Sequence, residues 1–350
     1  MACPFYAGSM ITERRYFVGR REELNFITSR MTAAQPTSIN FVSKDHIGKS
    51  SLLYHFCQTY EERVRRAGKN PQNYVVVYLS LQQADCREEA SFYQAVAKGL
   101  LQRPVVQANP ALVTPLNGGS LDRQGFSDAI KAWQRAKVLP VLCLYKFEEL
   151  LENKQEFDNY FYDNLRSLIN DNGLMLIISS RQTLERYSQQ HQLTSDFFNV
   201  FNVRVLAGLT DGEAMDLVRL PDNNNPALSE ERRKLALQWG ERNPYLLQLA
   251  GRCLWDAQEQ NRPDSWAKEQ FDLARRDVPQ SFSWRKLLYW LFWPSMKLGQ
   301  LARFTSSNVN DFKDRVTGSL IIIAVILVIV KVLPYKDLVK LVKDIVGIGD

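Results

Sequence analysis

The segment Phe41-Val-Ser-Lys-Asp-His-Ile-Gly-Lys-Ser-Ser-Leu-Leu holds the residues best suited to chemistry in this chain of 350 residues. Glycine followed by lysine and a hydroxyl, between a β-rich run and a helical one, is the pattern that wraps a phosphate. Gly48 lets the main chain approach an anion closely, and the start of the following helix aims free N–H groups at it. Lys49 reaches the outer phosphates, and the Ser50 hydroxyl is a ligand for Mg²⁺. The expected contacts are Ser43, Asp45, Ile47, Gly48, Lys49, Ser50 and Ser51, with ATP or ADP as ligand and Mg²⁺ as its companion. Ser43 stands where the pattern G-x-x-x-x-G-K-[ST] has its first glycine, so the loop is imperfect but not lost.

Such a loop needs a strand before it, a helix after it and a sheet behind it. Apolar runs predict strands at 37–42, 74–81, 138–144, 174–179 and 203–206. Helical spacing predicts helices at 50–67, 89–101, 126–136 and 157–170, with one more beginning near Arg20. The Pro- and Gly-rich stretch 103–124 reads as a loop. Continuous runs such as Val-Val-Val-Tyr-Leu suit a parallel sheet covered on both faces. The expectation is an α/β fold: a P-loop NTPase domain over 16–208, with a parallel sheet and flanking helices, after an irregular segment 1–15. Strands then stop, and 209–283 reads as a small helical domain, lid-like or winged-helix-like, opened by a capping box from Thr210 to Glu213.

Several ordered motifs resemble the AAA-like ATPases of the STAND class, and more distantly the origin-recognition ATPases. They are Pro4-Phe5, Tyr16-Phe17-Val18-Gly19-Arg20 with Glu23-Leu24, Ile47–Leu53, Ser179-Ser180-Arg181 and Gly240–Gln248, spanning about residues 4–257. The resemblance implies roles for further residues. Gly19 and Arg20 match the adenine-side turn, Arg181 a sensor arginine approaching the γ-phosphate, and Pro244 the lid proline that packs on the base. Read without the resemblance, Arg181 is an ordinary strand-end arginine and Pro244 an ordinary helix N1 proline.

The match breaks after the third predicted strand, where the family has Asp-Glu. Here Tyr145 and Lys146 occupy those positions, in Pro140-Val-Leu-Cys-Leu-Tyr-Lys-Phe-Glu-Glu-Leu. A neutral phenol and a cation neither hold a metal nor polarise water. Ser80 replaces a further carboxylate. Glu148 is a substitute only if the chain bulges, and Lys146 beside the phosphates offers charge in place of the metal. Binding without efficient hydrolysis is the expectation.

The composition, 45% hydrophobic and 23% charged, excludes collagen-like and disordered chains. A mean hydropathy of -0.28 excludes a polytopic membrane protein. Five scattered cysteines without a CxxC pair argue against a disulfide framework or a zinc site. The apolar run 316–334, after an aromatic stretch 284–315, predicts a transmembrane helix, and 335–350 a basic amphipathic tail on membrane lipid. These segments favour a membrane-tethered nucleotide switch of the STAND kind, with residues 1–280 cytoplasmic, copies associating into a homo-oligomer, and the tail as effector. The alternatives are an origin-recognition-like ATPase that binds nucleic acid, for which a net charge of +6 gives modest support, and a scaffold that binds no nucleotide.

Overall fold

The apolar runs become five strands: β1 (Ile39–Val42), β2 (Tyr74–Ser80), β3 (Leu139–Tyr145), β4 (Met175–Ser180) and β5 (Asn202–Val205). In the computed structural model, which describes residues 3–117, 121–222 and 225–275, they form one sheet in the order β2-β3-β4-β1-β5. Every pairing is parallel, with Leu142 opposite Leu176 and Val42 opposite Ser180. Alternate side chains serve opposite faces, as the period-2 geometry of a strand requires. Val141, Cys143, Met175 and Ile177 pack with α1 (Arg21–Met31) and α2 (Lys49–Arg66). Leu142, Leu144, Leu176 and Ile178 pack on the other face with α3 (Glu89–Leu101), α6 (Arg123–Arg135) and α8 (Asn159–Asn170). Both faces of β3 and β4 are therefore dry, which is why these strands read as apolar runs, whereas the edge strand β5 leaves Val203 and Val205 exposed.

The stretch 103–124 departs from its loop reading. It holds two short helices, α4 (Pro104–Gln107) and α5 (Pro110–Val113), and buries Val106, Leu112 and Leu116. Each proline sits in the first turn, where its missing N–H costs nothing, so it starts a helix instead of breaking one. The Trp133 indole N–H donates to the Leu112 carbonyl at 3.0 Å and fixes the segment to α6. A short helix α7 (Glu148–Leu151) follows β3, and α9 (Leu184–His191) follows β4.

A third core belongs to α10 (Asp211–Val218), α11 (Glu230–Gly240), α12 (Pro244–Glu259) and α13 (Asp264–Ala274). The expected capping box is present at α10, between Thr210 and Glu213. Among the described residues no strand follows Val205. Residues 1–15, expected only to be irregular, supply Phe5 to this core. Its ring lies where a Cβ on Gly251 would collide with it. Among the described residues no helix is long and apolar enough to cross a membrane. The stretch 284–315, the expected span 316–334 and the basic tail 335–350 lie outside the described residues.

Candidate nucleotide site

The phosphate loop leaves the carboxyl end of β1 and is fastened to β4, with the Ser43 N–H donating to the Ser180 carbonyl at 3.1 Å. His46 (φ 65°) and Gly48 (φ 86°) take left-handed backbone, which glycine adopts freely and other residues rarely. α2 then begins with no side-chain cap and no acidic residue in its first turn. Its leading N–H groups and its positive dipole end are left for an outside anion. Lys49 is buried, and its Nζ donates to the Ser43 and Lys44 carbonyls at 2.5 and 2.8 Å, with Asp45 Oδ1 at 3.8 Å. Burial pushes the Lys49 ammonium below its ordinary pKa, while Asp45 and Glu148 hold it up in part.

A cavity of about 570 Å³ opens in front of this loop, within the range of small-molecule sites. Gly48, Lys49, Ser50 and Ser51 form its floor, and Tyr78, Ser80, Tyr145 and Lys146 come from the strand ends. The irregular N-terminal segment crosses it with Tyr6 and Gly8 to Ile11, followed by Tyr16, Phe17 and Val18. Ile11 N–H donates to Ser51 Oγ at 3.0 Å, and Tyr6 N–H to Gln248 Oε1 at 3.0 Å, so the segment bridges α2 and α12. Pro244, Tyr245 and Gln248 close the far wall. Pro244 is the N1 residue of α12, whose start is capped by the Asn243 side chain. It therefore starts a helix and lines the cavity at once. The His46 and Tyr245 rings meet at 4.6 Å, which joins the phosphate loop to the helical unit.

Beyond β3 the backbone turns. Lys146 takes φ 59°, its N–H donates to Ser179 Oγ at 3.3 Å, and the Phe147 N–H donates to the Ser179 carbonyl at 2.9 Å. Tyr145 ends the strand, and Lys146 lies outside it. The turn brings Glu148 inward to 2% exposure, and neither of its carboxylate oxygens has a hydrogen-bond partner. Burial pushes the Glu148 carboxyl above its ordinary pKa, against the pull of Lys49, Arg181 and Lys146. Burial likewise raises the Tyr145 phenol, with Asp45 and Glu148 adding to it, so it is neutral at pH 7. Arg181 stays half-exposed, with Nε 3.0 Å from Asp45 Oδ2 and 3.6 Å from Glu148 Oε1, and it is not part of the cavity wall.

No protein-family model matches the chain, and no curated protein matches it in sequence. Solved structures do resemble it. The Walker-type ATPase PABY2304 of Pyrococcus abyssi is similar with a TM-score of 0.54 at 12% identity, over 85% of this chain and 79% of that one. The ORC2 protein of Aeropyrum pernix, in its ADPNP–ADP complexes, gives 0.54 at 11% identity over 75% and 73%. The ORC1 protein of the same organism, in complex with DNA, gives 0.50 at 13% over 75% of this chain and 66%, just under two thirds, of that one. The chain has the fold of the AAA-type P-loop ATPases.

Within this AAA-type fold, Asp45, Ile47, Gly48, Lys49, Ser50, Ser51, Arg20 and Pro244 share one cavity, whereas Ser43, Gly19 and Arg181 do not line it. Arg20 is buried in left-handed backbone and donates to the Ile47 carbonyl at 2.9 Å and to Glu23 at 3.1 Å, so it props the loop from below. Gly19 (φ 78°) lies against Glu213, with no room for a Cβ. Sequence reasoning missed Tyr6, Met10, Tyr145 as a wall residue, Tyr245 and Gln248. The apolar residues around Pro4-Phe5 were the one available hint that the N-terminal segment is built in. Ser50 offers the hydroxyl a Mg²⁺ ion would take, but the rest of an ordinary Mg²⁺ site does not fit. Asp45 is held by Lys49 and Arg181, and the strand end presents a phenol and an ammonium. Among the described residues no three potential ligands cluster to hold a metal.

Proposed function

We propose that this chain binds ATP or ADP in the cavity at the carboxyl end of β1 and acts as a nucleotide-dependent regulator with little or no hydrolysis. The observation that carries the reading is the uncapped start of α2, with Gly48, Lys49 and Ser50 facing a cavity of nucleotide size. The weak turnover follows from Tyr145 and Lys146, which occupy the strand end where a carboxylate would position metal and water. The test is ATP binding and turnover by the full chain beside Lys49→Ala. The variant removes a charge-assisted contact of about 1.5–3 kcal/mol, so affinity drops by about 10- to 100-fold. Equal binding by the two proteins defeats the reading.

For the partner, likeness in fold to ORC proteins, one of them solved with DNA, favours nucleic acid over membrane lipid. The membrane-tethered STAND switch rests on 284–350, outside the described residues. A nucleic-acid partner requires binding that weakens linearly in log salt, by about 0.9 per phosphate neutralised. Association of copies of the chain on ATP belongs to the same reading and is followed by light scattering.

A further inference from the structure

The cations around the phosphate loop are not equally free. Lys49 is spent on two carbonyls of its own loop and on Asp45. Arg181 is spent on Asp45 and Glu148, and Arg20 on Glu23 and the Ile47 carbonyl. Lys146 differs. It lines the cavity, and among the described residues its ammonium has no carboxylate within ion-pairing distance. Its ring neighbour is Tyr145, 6.0 Å away. The left-handed turn at Lys146 is held by the Ser179 contacts, so the ammonium is presented by fixed backbone and not by a loose loop. An unpaired cation in a walled cavity, across from the free N–H groups of a helix start, is a receptor for anionic oxygen.

We propose that Lys146 supplies the charge that a divalent metal supplies in other phosphate loops, so that this site holds ATP without Mg²⁺. The inference rests on the nucleotide reading above and adds which ionic form of the ligand is taken. Two features of the wall agree with it. Asp45, the carboxylate in the cavity lining, already faces Lys49 and Arg181, Glu148 is buried outside that lining, and a divalent ion beside the Lys146 ammonium would be repelled. A metal-free triphosphate, by contrast, brings its full negative charge to that ammonium and gains from it.

The experiment is calorimetric titration of the full chain with ATP, once in excess EDTA and once in excess Mg²⁺. The comparison is repeated with Lys146→Asn, a neutral residue that suits left-handed backbone, and with Lys146→Arg, which keeps the charge. The expected result is wild-type affinity within about threefold in the two buffers. Lys146→Asn should lose about tenfold or more in EDTA, and Lys146→Arg should recover most of it. A wild-type protein that loses about tenfold on chelation overturns the inference and leaves the nucleotide reading standing. Wild-type-like binding by Lys146→Asn in EDTA overturns it as well, without relying on whether any variant folds poorly, because a binder is folded. No ATP binding by the wild type in either buffer removes both.

Discussion

Single side chains in this protein titrate away from their ordinary range, and His55 is one open to direct observation. It stacks on Phe17, a residue of the cavity wall, with ring centroids 3.9 Å apart and planes 7° apart. Burial, then the Arg63 and Arg14 charges, push its pKa down from 6.5 to about 4. The imidazole is therefore neutral at pH 7. As pH falls below about 6.5 the unfolded chain takes up a proton that the folded chain refuses until about 4, so folding stability drops across that window. An NMR titration of His55 should show the low midpoint, and His55→Phe should flatten the loss of urea resistance between pH 7 and pH 5. A midpoint near the ordinary histidine value would contradict the burial argument. Glu148 tilts stability in the opposite direction. Its raised pKa means the folded state binds the extra proton, so its contribution declines as pH rises above the ordinary carboxylate value of 4.5.

Between elements, one carboxylate joins the first helix to the helical unit. Glu213 accepts from the Thr210 N–H at 3.0 Å, closing the α10 capping box, and from the Arg20 N–H at 2.6 Å at the start of α1. Burial works against its charge, but these backbone donors outweigh it and hold the carboxyl below its ordinary pKa. Its contribution is present above about 4.5 and is lost as pH falls through the lower folded value. Glu213→Ala strands two N–H groups and should cost about 1–3 kcal/mol in chemical denaturation at pH 7. A loss of under about 0.5 kcal/mol, the size of a surface change, would mean the joint bears no weight. The elements themselves were largely legible in the sequence, because strands dry on both faces must be apolar throughout and α10 announces its cap through Thr210 and Glu213. The inward turn of Glu148 was not, because it depends on Lys146 adopting left-handed backbone, a state no lysine advertises. The prolines of 103–124 misled for a related reason: Pro104 and Pro110 mark a helix start as readily as a loop.

For the molecule as a whole, the cavity exists because three separate parts of the chain line it: the carboxyl end of the sheet with its phosphate loop, the helical unit and the N-terminal segment. The last of these was hidden from sequence reasoning, since nothing local in residues 3–16 shows that they face residues some 240 positions away. Phe5 tests the enclosure. Phe5→Ala empties its place against Gly251 and should cost about 3–5 kcal/mol, as large-to-small core changes do. Because Tyr6 lines the cavity beside it, ATP affinity should fall in the same variant. Unchanged denaturation of Phe5→Ala would show that the segment lies on the surface and not in the core.

That same packing has a consequence for how the chain reaches its native state. The contact between Tyr6 N–H and Gln248 spans 242 residues of sequence. Closing a loop of that length costs about 5 kcal/mol of chain entropy beyond a constant, and nothing between its ends repays it until the sheet has formed. Helical units built from neighbouring helices fold fast because their contacts are local. This one cannot follow that rule, since Phe5 and Tyr16 belong to its core. During synthesis residues 3–16 are made well before their partners on α10, α12 and α13. Among the described elements the all-helical core is thus completed only after the sheet, and the cavity wall is completed with it.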